Sequence, residues 1–180
     1  RGARIVGVNP IRTGYNAVAD DWLGITPGTD GLLILSLVHV LLEAGRIDVD
    51  YLSRFTNAPV LVNGDPKSPE HGLFLRDADG KPLVIDRATG KLAPFDQPGL
   101  RPDLAASYRH AGVTHRPVMH LLAERYLDPQ YAPEAVADRC GIPAAKIRAL
   151  AAEIARAAFD APVVLDREWT DFRGDLHKTM

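Results

Sequence analysis

Residues 5–30, I-V-G-V-N-P-I-R-T-G-Y-N-A-V-A-D-D-W-L-G-I-T-P-G-T-D, constrain the fold of this chain more than any other stretch. An apolar run (Ile5, Val6, Val8) stops at Asn9-Pro10 and gives way to a polar loop. A second run (Trp22, Leu23, Ile25) stops at Pro27-Gly28, and a long apolar helix follows Asp30. Proline cannot donate to a strand ladder, so each run ends where its proline falls. Two strand ends that open into hydroxyl- and carboxylate-bearing loops are what a nucleotide site at the edge of a parallel sheet requires.

The pattern predicts strands over residues 4–8 and 22–25, with a helical turn between them over 15–21. Residues 31–44 read as a helix apolar on nearly all sides, the kind that a sheet and neighbouring helices bury. Thr29 or Asp30 is placed to cap its start, and Gly45 to close it in the left-handed position after the last turn. A short helix with Asp48 or Asp50 near its start follows.

Most of the fourteen prolines then fall in residues 57–117, with many Gly and Asp. Within that stretch, residues 72–87 carry two apolar runs around Asp77-Ala-Asp79-Gly80, a β-hairpin signal with Asp-Gly at the turn. The stretch reads as an irregular excursion with one surface hairpin and no core of its own. Helices are predicted over 118–126, from Pro133 to Gly141, and from Pro143 to Phe159, and a buried strand over 161–166. The fold class is therefore α/β: a mainly parallel, Rossmann-like sheet flanked by helices, with an irregular hairpin-bearing insertion.

Composition narrows the partners. At 180 residues and 46% hydrophobic, the chain can bury one core with a small satellite. A net charge of −2 gives no electrostatic reason for nucleic acid or an acidic membrane surface. Cys140 is the single cysteine, which excludes a disulfide framework and any cysteine-ligated iron–sulfur or zinc site built by this chain alone. Its apolar neighbours read it as a small core residue. The longest apolar run, residues 32–42, contains Ser36 and His39 and falls short of the roughly 20 residues a membrane span needs. The chain opens on R-G-A-R without Met and closes on D-L-H-K-T-M, so both ends are expected to be internal to a longer polypeptide. Compartment is left open.

The run V-N-P-I-R-T-x-x-x-A-V-A-D-x-W-L-x-I-x-P-G-T-D over residues 8–30 closely resembles the molybdopterin oxidoreductases, whose usual pattern is D-P-R-x-T-x-T-A-x-x-A-D-x-x-L-x-I-R-P-G-T-D. Three further segments agree in order: E-A-G-R-I-D-x-D-Y-L-x-R-F-T-N-A at 43–58, L-L-A-E-R-Y-L at 121–127, and E-A-V-A-D-R-C-G-I-P-A-A-K-I-R-A-L-A at 134–151. The resemblance covers nearly the whole chain and is closest to the polysulfide, thiosulfate and tetrathionate reductase and formate dehydrogenase-like branches.

That resemblance implies a bis(molybdopterin guanine dinucleotide) cofactor carrying molybdenum or tungsten, one guanosine of which docks on this chain. It implies as well a 4Fe–4S cluster elsewhere in the parent protein. Its implied partners are the rest of that catalytic polypeptide and an iron–sulfur electron-transfer subunit. Its members are cytoplasmic or periplasmic. Residues 1–56 become the guanosine-binding segment, 57–117 the insertion, 118–160 helices on the sheet, and 161–180 a lead into an adjoining domain. Asp30 offers two acceptor oxygens to the adjacent N1–H and N2–H of guanine. Gly28 leaves room for a base against the backbone, and Thr29 brings a hydroxyl. Pro10 sets the first loop, on which Arg12 and Thr13 suit phosphate or ribose oxygens and Asn9 a ribose hydroxyl. Asn9 stands where most of the family has Asp, and Ile11 where most have Arg, which shifts the phosphate role onto Arg12. No catalytic residue or metal ligand falls within the chain.

Two other readings compete. One is a non-catalytic nucleotide-binding module. The other is a DNA-binding helix-turn-helix, since Ala137, Gly141 and Ile147 have its spacing. Residues 133–160, however, hold four Lys/Arg (Arg139, Lys146, Arg148, Arg156) against four Asp/Glu (Glu134, Asp138, Glu153, Asp160). A groove-reading helix needs a basic excess, so packing onto a sheet is favoured. The six histidines show no metal-ligand spacing; His39 reads as a satisfied side chain, His110 and His115 as solvated.

Overall fold

In the computed structural model, which describes residues 3–161 and 166–178 (Tyr15 by its backbone alone), the elements run in chain order. They are β1 (Val6–Val8), β2 (Asp21–Leu23), α1 (Asp30–Glu43), α2 (Val49–Phe55), β3 (Leu61–Asn63), β4 (Leu83–Ile85), β5 (Leu92–Pro94), β6 (Tyr108–His110), β7 (Val113–Pro117), α3 (Val118–Tyr126), α4 (Pro133–Cys140), α5 (Ala144–Ala155), β8 (Trp169–Thr170) and β9 (Leu176–His177). They divide into two units, Arg1–Arg46 with Gln130–Met180, and Ile47–Pro129.

In the first unit β1 and β2 pair in parallel, with Val6 opposite Asp21, Gly7 opposite Trp22 and Val8 opposite Leu23. A pair this small cannot stand alone. Its support is a core of Leu23, Ile25, Leu33, Leu37, Val136, Cys140, Ile142, Ile147 and Ala151, contributed by β2, α1, α4 and α5. Leu33 and Leu37 share a helix face at i, i+4 spacing, and Ile147 and Ala151 do the same on α5. Fully burying each such Leu or Ile contributes about 1.5–3 kcal/mol. Gly45, at φ +63°, closes α1 in a Schellman turn, Arg46 N–H reaching Leu41 O at 2.8 Å. Pro133 occupies the first turn of α4, and Gly141, at φ +72°, ends it. α1 is not buried all round as its composition implied: Ile34 is 56% exposed, because α4 and α5 cover only the opposite face.

The second unit is antiparallel. β7 lies between β3 and β6, with Leu61 opposite Pro117 and Tyr108 opposite His115. The expected Asp-Gly turn is present: Asp77 accepts N–H bonds from Asp79 at 3.0 Å and Lys81 at 2.8 Å, and Gly80 has φ +78°. A second hairpin, β4 with β5, turns through Asp86 and Gly90. Ala58, Val60, Leu61, Val62, Val84, Ile85, Ala93 and Leu104 are buried. The expectation of a coreless excursion is therefore corrected: hairpins need only tight turns, so proline and glycine richness marks corners between short strands rather than disorder. His115 is buried rather than solvated, because strand alternation turns it inward with Pro117.

Parallel pairing is confined, among the described residues, to β1 and β2, and the largest sheet is the antiparallel β3–β7–β6. The strand predicted over 161–166 lies outside the described residues. No helix among those described is long and apolar enough to cross a membrane.

Candidate functional site

Because β1 and β2 run in the same direction and in register, the loops that follow them leave from one end of the pair. The first loop carries Asn9, Pro10, Arg12 and Thr13; the second carries Gly28 and Thr29 and ends at Asp30. Parallel pairing therefore brings the two groups of predicted residues to a common edge.

The first loop is built by short-range bonds. Asn9 N–H donates to Leu23 O at 3.2 Å, and Asn9 Oδ1 accepts Ile11 N–H at 3.1 Å, an Asx turn that an Asp would form equally well. The indole N–H of Trp22 donates to Asn9 O at 3.0 Å and pins the loop to β2. Beneath lies Asn16, fully buried in the turn Gly14–Ala17, whose Nδ2 donates to Ile11 O at 3.3 Å. Its Oδ1 has no hydrogen-bond partner among the described residues. Arg12 and Thr13 are exposed, and no carboxylate faces Arg12 at ion-pair distance among the described residues. Ile11 is 65% exposed on the same loop, where it has no polar atom to offer a ligand.

The second loop is buttressed from behind. Thr26 N–H donates to Cys140 O at 2.8 Å, and a Cβ on Gly141 would stand 3.0 Å from Thr26 Oγ1. Cys140 is wholly buried, its thiol 3.9 Å from Thr29 O, as suits a packing residue rather than a ligand. Gly24 accommodates Trp22, whose ring would lie 2.7 Å from any Cβ there. Thr29 holds the N-cap position of α1 but does not cap it; its hydroxyl turns back to Thr26 O at 2.7 Å. No side chain thus caps the first amides of α1, and the exposed Asp30 carboxylate beside them has no hydrogen-bond partner among the described residues. Gly28, at φ +82°, has open space where a Cβ would be.

This donor set distinguishes between ligand groups. Guanine N1–H and N2–H suit a free carboxylate, whereas a phosphate at Asp30 would meet like charge. Arg12 on the facing loop is the group with a free fork for oxyanions. The opposite end of the strand pair is structural. There Asp21 takes Lys146 at 3.1 Å and Arg4 at 3.6 Å, and Arg4 also pairs with Glu153. The Lys146 hydrogen bond holds Asp21 below its ordinary pKa. Arg148 binds Glu134 through two nitrogens at 2.8 and 2.7 Å and approaches Glu43 at 3.5 Å, tying α5 to α4 and α1. That bond holds Glu134 down to about 2. Lys146 and Arg148, the cations at the start of the supposed recognition helix, are thus engaged by carboxylates.

Sequence reasoning missed Asn16, Trp22 and Gly24. An Asn among polar loop residues carries no mark of burial, but a tryptophan one residue ahead of Leu-Gly is a signal that an indole covers a glycine.

No family model matches the chain. It is similar to a sulfite dehydrogenase subunit of Allochromatium vinosum, 41% identical over 191 aligned positions, covering all of this chain and 19% of that protein. A putative dimethyl sulfoxide reductase catalytic subunit of Halobacterium salinarum is 33% identical over 83% of the chain and 18% of its own length. The major subunit of the nitrate-inducible formate dehydrogenase of Escherichia coli is 31% identical over 79% of the chain and 13% of its own length. The chain thus spans about a fifth or less of these curated relatives. With a strand–loop–helix arrangement that carries the family's residues in order, and relatives of this kind along its whole length, the chain belongs to the molybdopterin oxidoreductases and corresponds to a segment of their catalytic subunits.

Proposed function

We propose that this segment holds the guanosine end of a bis(molybdopterin guanine dinucleotide) cofactor, with molybdenum or tungsten, in an oxidoreductase catalytic subunit. The observation that carries the reading is the parallel register of β1 and β2, which sends both polar loops off the same strand ends. Such crevices are where nucleotides bind in open α/β sheets. In this reading β1 and β2 belong to a larger, mainly parallel sheet completed by the rest of the protein.

The residues have separate roles. Asp30 accepts the two guanine N–H donors, Gly28 lets the base approach the backbone, and Arg12 and Thr13 hold phosphate or ribose oxygens. Asn9 keeps Pro10 and the first loop in place and faces the ribose. Thr29 acts through its bond to Thr26, which shapes the second loop. When bound, the cofactor supplies two-electron redox chemistry at its metal; this chain positions the far end. The same reading gives the parent protein a 4Fe–4S cluster, which would be held by residues outside this segment, and an iron–sulfur partner protein that would receive its electrons. A relative similar along the entire chain is a sulfite dehydrogenase subunit, which puts sulfur oxyanions first among substrates.

The test is Asp30→Ala in the whole protein. Losing a bidentate charge-assisted pair weakens retention of the cofactor by roughly tenfold or more. Molybdenum or tungsten content per purified protein should fall, with Asp30→Asn intermediate because it keeps one acceptor. Unchanged metal content and activity in Asp30→Ala would refute the assignment.

A further inference from the structure

Three arginines from separate parts of the second unit line one cavity of about 350 Å³. Arg54 comes from α2, Arg87 from the turn after β4, and Arg101 from the segment approaching β6. Ser53, itself 9% exposed, also lines it, and Asp50 supplies one carboxylate. Three guanidiniums against one lining carboxylate make the wall of the cavity net positive.

The backbone holds two of these arginines side by side. Arg87 N–H donates to Arg101 O at 2.8 Å, Asp86 and Pro102 form an antiparallel bridge, and Asp86 Oδ1 accepts Arg101 N–H at 3.4 Å. Like charges across a strand pair repel, so the arrangement is unfavourable unless something negative lies between them. The protein supplies little. Arg87 Nε is 3.8 Å from Asp103 Oδ2, a long ion pair, while Asp103 Oδ1 accepts the Ala105 and Ala106 N–H groups at 2.8 and 2.9 Å. Arg54 and Arg101 have no carboxylate at ion-pair distance among the described residues, whereas Arg46 and Arg116 each have one and Arg148 has two.

We propose that this cavity binds a tetrahedral oxyanion of the sulfate and phosphate class. Planar guanidinium forks from three separate segments suit such an ion, and the Ser53 hydroxyl can donate one further bond. With Asp103 counted against Arg87, the walls still keep a positive excess that favours an anion.

The experiment titrates sodium sulfate into the whole protein at fixed ionic strength, with chloride as the replaced ion, and reads heat of binding. The wild type should show saturable one-site binding, weakened roughly tenfold or more by either Arg54→Gln or Arg101→Gln. Arg101→Lys, which keeps the charge but loses the fork, should fall between. Thermal midpoints in chloride check that each variant folds. Arg54→Gln, on the exposed side of α2, decides the matter if Arg101→Gln does not fold. Sulfate binding unchanged in folded Arg54→Gln, or a wild-type response that never saturates, overturns the proposal. An unsaturating response is the general salting effect of sulfate rather than a site.

Discussion

A Cβ placed on Gly7 would stand 2.0 Å from Asn16 Oδ1 and 2.9 Å from its Cγ, so the central residue of β1 and the buried amide under the first loop share one volume. Gly7→Ala should therefore overpack this site and destabilise the protein by about 1–3 kcal/mol. Shortening Asn16 removes the obstruction, so the Gly7→Ala/Asn16→Ala pair should be more stable than the sum of the single changes predicts. A double-mutant cycle in urea reads this directly; strict additivity would mean that the two side chains do not compete for space. The Asn16→Ala change alone gives up a hydrogen bond to Ile11 O but also an unpartnered buried oxygen, and these partly offset. Residues of this kind were not legible in the sequence. The place of Asp30 at the start of α1 was, because a carboxylate after Pro-Gly-Thr is a local helix-start pattern; the place of Asn16 was not, because its burial depends on a turn folding back beneath β1.

At the scale of elements, the α4–α5 turn supports the second loop as well as joining two helices. Gly141 adopts φ +72° and lies against Thr26. Gly141→Ala meets both a left-handed backbone, disfavoured by roughly 1–2 kcal/mol for an L-residue, and a tight contact on Thr26 Oγ1. It should lower the thermal midpoint and, in the whole protein, loosen the loop that ends at Asp30. Metal content falling alongside stability would support that coupling, and a stability loss with full metal content would confine Gly141 to helix termination. The helices themselves were legible from Pro133, Gly141 and Pro143. Their common purpose was not: the spacing Ala137, Gly141, Ile147 serves a DNA-reading pair and a sheet-packing pair equally. What separates them is the capture of Lys146 and Arg148 by Asp21 and Glu134.

Across the whole chain, the resolved carboxylate shifts all point downward. Asp21 is held low by Lys146, Asp96 by Lys81, Asp160 by Arg46, Asp171 by His177, and Glu134 by Arg148 to about 2 from an ordinary 4.5. The folded state therefore binds these protons less tightly than the unfolded chain. Their contribution to stability is full above the ordinary carboxylate range and is lost as pH falls through the depressed values. Burial lowers His115 from 6.5 with the same sign, so its contribution is full above that value and declines as acidification forces a charge onto a buried ring. Thermal midpoints should thus hold steady at and above neutrality, begin to fall below about pH 6.5, and fall more steeply below about 4.5. Asp96, Asp160 and Glu134 are largely exposed, so raised salt should flatten the acid limb. A midpoint that rises on acidification would contradict the ion-pair account.

Local patterns in the sequence determined where the chain turns, where its helices start and stop, and which residue types stand at the two loop mouths. Each of these depends on a few neighbouring side chains and on proline or glycine backbone geometry. Tertiary structure alone decided that β1 and β2 pair in parallel and so share one edge, that residues 57–117 bury side chains in antiparallel hairpins, and that three distant arginines line one cavity. Pairing direction, burial and charge proximity join residues far apart in the chain, and periodicity carries no information about which distant segment a strand or side chain will meet.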